Sequence, residues 1–211
     1  ARGLPPEALD QLFARVAGQT VDKPVTLRDR VRELPTPTRV GATMGVGALF
    51  VFVFLAALGI RPGMSTSAIT GYVVAASCLV AMVGLATSLS LRGMHQRAAG
   101  GWAWAVTTAA LLLPAVLALW PGLWPTEGAP PAELTGAGLG CIAMGLCLAA
   151  ASGLVMRFFQ RDDQPGDWRV TAMAGAGGLI AFTGVQLHCP AADPGHLLIG
   201  HGLLGVVLAV V

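Results

Sequence analysis

Six apolar runs dominate this chain and leave it few folds to adopt. A helix needs roughly 20 apolar residues to cross the hydrocarbon layer of a membrane, and runs of that order lie at about 40–60, 68–91, 102–124, 134–157, 169–187 and 196–211. With 55% of its residues hydrophobic and 11% charged, the chain carries more apolar surface than a soluble domain of this size can bury. The expected fold is all-α: a polytopic membrane protein whose residues 40–211 form a six-transmembrane-helix bundle, preceded by a short polar segment, residues 1–39. Trp102, Trp104, Trp120, Trp124 and Trp168 stand at the ends of runs, where an amphipathic ring favours the membrane interface. The last run is short, and its helix is expected to continue beyond Val211. The polar N-terminal stretch has no features of a cleavable signal.

Basic residues give the orientation. If the N-terminus lies inside, the segments on that side hold twelve of the thirteen Lys and Arg residues, and Arg61 alone lies on the other. Cytoplasmic loops collect Lys and Arg, so both termini are expected in the cytoplasm and the His188–Gly195 connection outside. A net charge of +2 without a basic block gives no reason to expect direct nucleic-acid binding.

Residues 1–39 are the polar domain. Leu9, Leu12, Phe13 and Val16 recur at helical spacing after Pro5-Pro6-Glu7, and predict a helix with one narrow apolar stripe. A second short amphipathic helix is expected from about Thr26 to Leu34, ended by Pro35-Thr36-Pro37. Two such helices cannot bury a core of their own. They must lie on the membrane, pack on the inner loops or bind a partner.

The runs contain no interior Asp, Glu, Lys or Arg, which argues against an ion-coupled transporter, since such groups are retained in lipid for work. No phosphate-cradling glycine loop, Cys-x-x-Cys pair or nucleophile elbow supports a nucleotide-binding or hydrolytic reading. Gly41-x-x-x-Gly45 and Gly136-x-x-x-Gly140 are expected to serve helix packing.

Chemistry concentrates near the C-terminus, where His188, Cys189, Asp193, His196 and His201 fall within fourteen residues. Depth counting along the fourth run puts Cys141 near the same membrane face as Cys189, whereas Cys78 and Cys147 lie mid-run and are expected to be small buried residues. In an oxidising compartment a thiol near the surface can pair, be oxidised or take a soft metal. His188, Cys189, His196 and His201 are the candidate metal ligands, although no spacing among them matches a structural zinc site. His196 and His201 stand five residues apart, about 140° around an α-helix, and are not expected on one face. The same residues also serve as interfacial polar groups closing a membrane hairpin, and local sequence does not separate the two readings.

The string Gln186-Leu187-His188-Cys189-Pro190, then Asp193, Pro194, His196 and His201-Gly202-Leu203, resembles the closing signature of the six-span bacterial membrane anti-sigma factors of the NrsF type, to which CarR-like regulators are related. A cysteine early in the fourth span, matching Cys141, is part of the resemblance. It departs at Gly200, where an aromatic residue often precedes the second histidine. The resemblance implies an inner-membrane protein that is not an enzyme. Such a protein holds an extracytoplasmic-function sigma factor at its cytoplasmic N-terminus and releases it on an envelope, oxidative or metal signal sensed by Cys141, Cys189, His188, His196 and His201. The stripe Leu9, Leu12, Phe13 and Val16 would dock the sigma factor, as an amphipathic helix lies in a groove. No cofactor is implied beyond a metal ion at the His/Cys cluster. The alternative is a small membrane oxidoreductase or cofactor-binding protein using Cys141 and Cys189 as a redox pair.

Overall fold

The computed structural model describes residues 7, 9–11, 14, 25–60, 66–92, 100–120, 137–160, 167–189 and 193–210, and among them the regular structure is entirely helical. After the capped turn α1 (Leu27–Glu33) come α2 (Thr36–Leu58), α3 (Thr66–Ser90), α4 (Gly101–Leu119), α5 (Ala137–Phe159) and α6 (Asp167–His188). The chain then passes through a broken segment made of α7 (Pro194–Leu197), a π turn π1 (Leu198–Gly202) and α8 (Leu204–Val210). Four of these helices, α2, α4, α5 and α6, are long and apolar enough to cross a membrane; α3 has an apolar stretch over Ala75–Ser90. The final run is not one continuous α-helix, contrary to expectation.

The hub of the bundle is α6, which is buried along most of its window and packs against α3, α4, α5, α2 and α8. It is also the least hydrophobic of the four long apolar helices, because glycine and alanine replace bulk where neighbours must approach. A Cβ added to Gly178 would lie 2.4 Å from Gly205 Cα, and one on Gly177 2.9 Å from the Ala149 carbonyl oxygen. Backbone-to-backbone packing of this kind needs the missing side chain. At Gly41, Gly45 and Gly140 an added Cβ meets nothing within 4 Å, so those expected packing glycines make no such contact inside this chain; Gly136 lies outside the described residues. The outer surface is apolar, with Phe52 69% and Leu154 72% exposed. Cys78 and Cys147 are exposed too, a correction to their expected burial: Cys78 lines an open apolar groove between α3 and α4, and Cys147 lies on the outer surface of α5.

One end of the bundle is tied by Arg39, in the first turn of α2 and fully buried. Its guanidinium donates to the carbonyl oxygens of Leu34 (3.2 Å), Leu91 (3.1 Å) and Phe159 (2.8 Å) and to Thr36 Oγ1 (3.1 Å). Leu91 follows α3 and Phe159 ends α5, and carbonyls at helix C-termini have no partner within their own helix. A cation there also meets the negative ends of two helix dipoles. Gln160 adds a bond from Nε2 to the Ser90 carbonyl (3.2 Å).

Immediately before this clamp, α1 forms where a short helix was expected. Thr26 caps it: Asp29 N–H donates to Thr26 Oγ1 (3.2 Å), and Thr26 N–H donates back to Asp29 Oδ2 (2.9 Å), a reciprocal capping box. On its apolar side Leu27 is 71% exposed, whereas Val31 is half-buried where α1 meets α5. Of the N-terminal stripe, Leu9 is helical and exposed; Leu12, Phe13 and Val16 lie outside the described residues.

Candidate metal and thiol centre

At the end of the bundle opposite Arg39, four elements converge on one buried cluster. The second turn of α5 carries Cys141, Cys189 directly follows α6, and His196 and His201 come from α7 and π1. One ligand atom from each of the four lies within 4.8 Å of every other, and all four residues are buried. Cys189 Sγ is 3.3 Å from His196 Nε2. Val185, Phe54 and Met144 pack around the two thiols, and none of the chain's cysteines is in a disulfide.

The histidines meet through the π turn, which overturns their expected separation. Asp193 begins the segment, its Oδ2 accepting the His196 N–H at 2.8 Å, with Pro194 fixing the first helical position. The Leu203 N–H then bonds the Leu198 carbonyl at 3.1 Å, an i→i+5 closure that brings residues five apart toward one face. The rings of His196 and His201 stand edge to face with centroids 5.2 Å apart. A Cβ on Gly200 would make only ordinary contact with Cys141 Cβ and the His196 ring, whereas one on Gly202 would come 2.9 Å from Ala115 Cα in α4, so it is Gly202 that lets the turn approach its neighbour.

His201 is oriented by a residue whose role sequence reasoning missed. Its Nδ1 lies 2.6 Å from Gln186 Oε1, both residues being buried. An amide oxygen only accepts, so Nδ1 carries the proton and Nε2 keeps its lone pair. Gln186 was visible as the one amide in the fifth apolar run, a polar exception in a buried stretch. Arg39 was missed as well, because it sits just outside the counted run. The His196 Nδ1 atom is buried without a hydrogen-bond partner among the described residues.

His188, in contrast, leaves the cluster. Its Nδ1 is 3.0 Å from the Gly59 carbonyl and its ring stacks edge-on to Phe54 at 5.7 Å. Because it precedes Cys189 on the last turn of α6, its side chain points toward the end of α2, away from the thiols. The four-residue set is therefore Cys141, Cys189, His196 and His201, with Cys141 in the place expected for His188, and Asp193 serves as a helix cap. No protein-family model, curated protein or solved structure matches this chain.

Proposed function

We propose that the chain is a membrane-bound anti-sigma factor of six spans with both termini cytoplasmic. It would hold an extracytoplasmic-function sigma factor through residues 1–34 and release it when the Cys141/Cys189 cluster meets an envelope, oxidative or metal signal. The observation that carries this reading is the placement of the two polar sites on one rod. Helix α5 holds Cys141 near its start and gives its last carbonyl, Phe159, to Arg39, about 27 Å away at 1.5 Å per residue. Arg39 in turn donates to the carbonyl of Leu34, which directly follows α1 in the N-terminal segment. A shift of α5 at the thiols therefore acts on the clamp that positions that segment. The basic-residue bias, which assigns the clamp end to the cytoplasm, supports the same direction of signalling. A hundredfold loss of partner affinity requires about 2.7 kcal/mol of coupling between the two ends.

The test is co-purification of the full chain with extracytoplasmic-function sigma factors. Binding is expected to vanish when residues 1–34 are removed, and retained binding sinks the docking segment. Arg39→Lys, which replaces a planar fork by a point charge, is expected to uncouple the two ends, so that oxidant changes partner binding less than in the unaltered chain.

A second reading, a small membrane oxidoreductase using Cys141 and Cys189 as a redox pair, is favoured by the proximity of the two thiols. It leaves the N-terminal segment without a role. An apolar cavity of about 480 Å³ lies between α2, α3 and α6, lined by Met44, Val51, Leu79 and Ile180 and by neither of these two cysteines. Visible absorbance of the purified protein, diagnostic of a bound haem, flavin or other chromophore, separates the two.

A further inference from the structure

We propose that Cys141, Cys189, His196 and His201 bind one thiol-seeking divalent cation, Zn²⁺ or Cd²⁺, in a closed tetrahedral S₂N₂ site, with Gln186 as the positioning residue for His201. The proposal rests on the sensor reading for its consequence, though not for the binding itself. Zn–S and Zn–N bonds of about 2.3 and 2.0–2.1 Å give a tetrahedron with edges of roughly 3.3–3.8 Å. The Cys189–His196 pair already stands at 3.3 Å, and no ligand atom is farther than 4.8 Å from another. The remaining closure is about an ångström.

The chemistry of the donors selects the ion. Hard cations such as Mg²⁺ and Ca²⁺ demand oxygen ligands, whereas the cluster found among the described residues contains no carboxylate and Asp193, between Cys189 and His196 in the chain, is engaged as the cap of α7. Two thiolates and two imidazoles suit a soft or borderline ion, and a tetrahedral set disfavours Cu²⁺ and Ni²⁺, which prefer tetragonal geometry. Two thiolates also neutralise one divalent charge, so the loaded site is electrically neutral among buried apolar side chains. On binding, two S–H bonds break, two metal–sulfur bonds form and two protons leave to water. The histidines give lone pairs, and nothing is oxidised or reduced. Gln186 holds His201 in the tautomer that frees Nε2, the outer-shell arrangement typical of metal-bound histidine. All four positions are taken by protein, which is the pattern of a structural or sensing site and leaves no open place for a substrate. Metal would lock α5 to the end of α6 and to the α7–π1 segment, which together supply the four ligands.

Binding is measured on the purified full chain in detergent, reduced and stripped of metal, with no sigma factor present; its failure is thus distinct from failure of the anti-sigma reading. Cd²⁺ is expected to bind one per chain, with a thiolate-to-cadmium absorption band and release of two protons per metal. Cys141→Ser and Cys189→Ser each lose the band. Gln186→Leu weakens binding by about 10–100-fold, whereas Gln186→Glu, which keeps an acceptor for His201 Nδ1, restores it. Proton release is read on the unaltered chain, so it stands even if a variant does not fold. Less than about one metal per ten chains, no proton release, or a band that survives replacement of both cysteines would overturn the proposal.

Discussion

Single residues decide the two ends of this molecule, and they do so by hydrogen bonds whose direction is fixed by chemistry. Gln186 can only accept through Oε1, and that sets the protonation of His201 without reference to any ligand. At the other end, the hydrogen bonds from Thr26, side chain first and then backbone, hold the Asp29 carboxyl below its ordinary value of 3.8, helped by Arg32 and Arg28. A carboxylate with a lowered folded-state pKa stabilises α1 above the unfolded value and loses that contribution as pH falls through the folded one. The capping box is therefore intact at neutral pH and opens at acid pH, below about 3.8. A carboxyl NMR titration of Asp29 checks this: Thr26→Ala is expected to move its midpoint up toward 3.8, and an unchanged midpoint would contradict the assigned cause.

Among the elements, the closeness of α6 to α8 and the π turn between α7 and α8 are two expressions of the same glycine-rich packing. Gly178 faces Gly205 backbone at 2.4 Å from an added Cβ, and backbone cannot give way as a side chain end can. Gly178→Ala is expected to destabilise the bundle by about 1–3 kcal/mol or more through overpacking, lowering the thermal midpoint in detergent. Gly45→Ala, open on all sides, is expected to be neutral or to stabilise by up to about 1 kcal/mol from helix propensity. Equal midpoints for the two variants would refute this account of α6. Small-x-x-x-small spacing did not locate the close approaches at Gly178 and Gly202, and Gly41, Gly45 and Gly140 make none inside this chain, because spacing along one helix says nothing about which face meets a neighbour. The contacts at Gly178 and Gly202 depend on partners far along the chain, in α8 and α4.

For the whole molecule, the proposal of opposed sensing and docking ends makes orientation the property to test. Ile60, two residues past the end of α2 on the thiol-cluster side, and Val25, before α1, are both well exposed, at 61% and 62%. In intact cells a membrane-impermeant maleimide is expected to label Ile60→Cys, and to label Val25→Cys only after permeabilisation. The reverse pattern would overturn the orientation. Helical class, the approximate bounds of the long helices, the short helix before α2 and the position of Cys141 and Cys189 toward the same end were all legible in the sequence. They follow from hydropathy, proline and cap chemistry, and the rarity of thiols and imidazoles, which are local properties. The ligand set was not legible. Replacing His188 by Cys141 needed the azimuth of the last turn of α6, bringing His196 to His201 needed an i→i+5 turn, and the Arg39 clamp needed the ends of α3 and α5 in one place. By itself the sequence determined that this chain forms apolar helices with its reactive groups toward one end. Only the tertiary structure decided which of those groups meet, because side-chain convergence depends on the rotation and close approach of helices, and period and composition do not encode either.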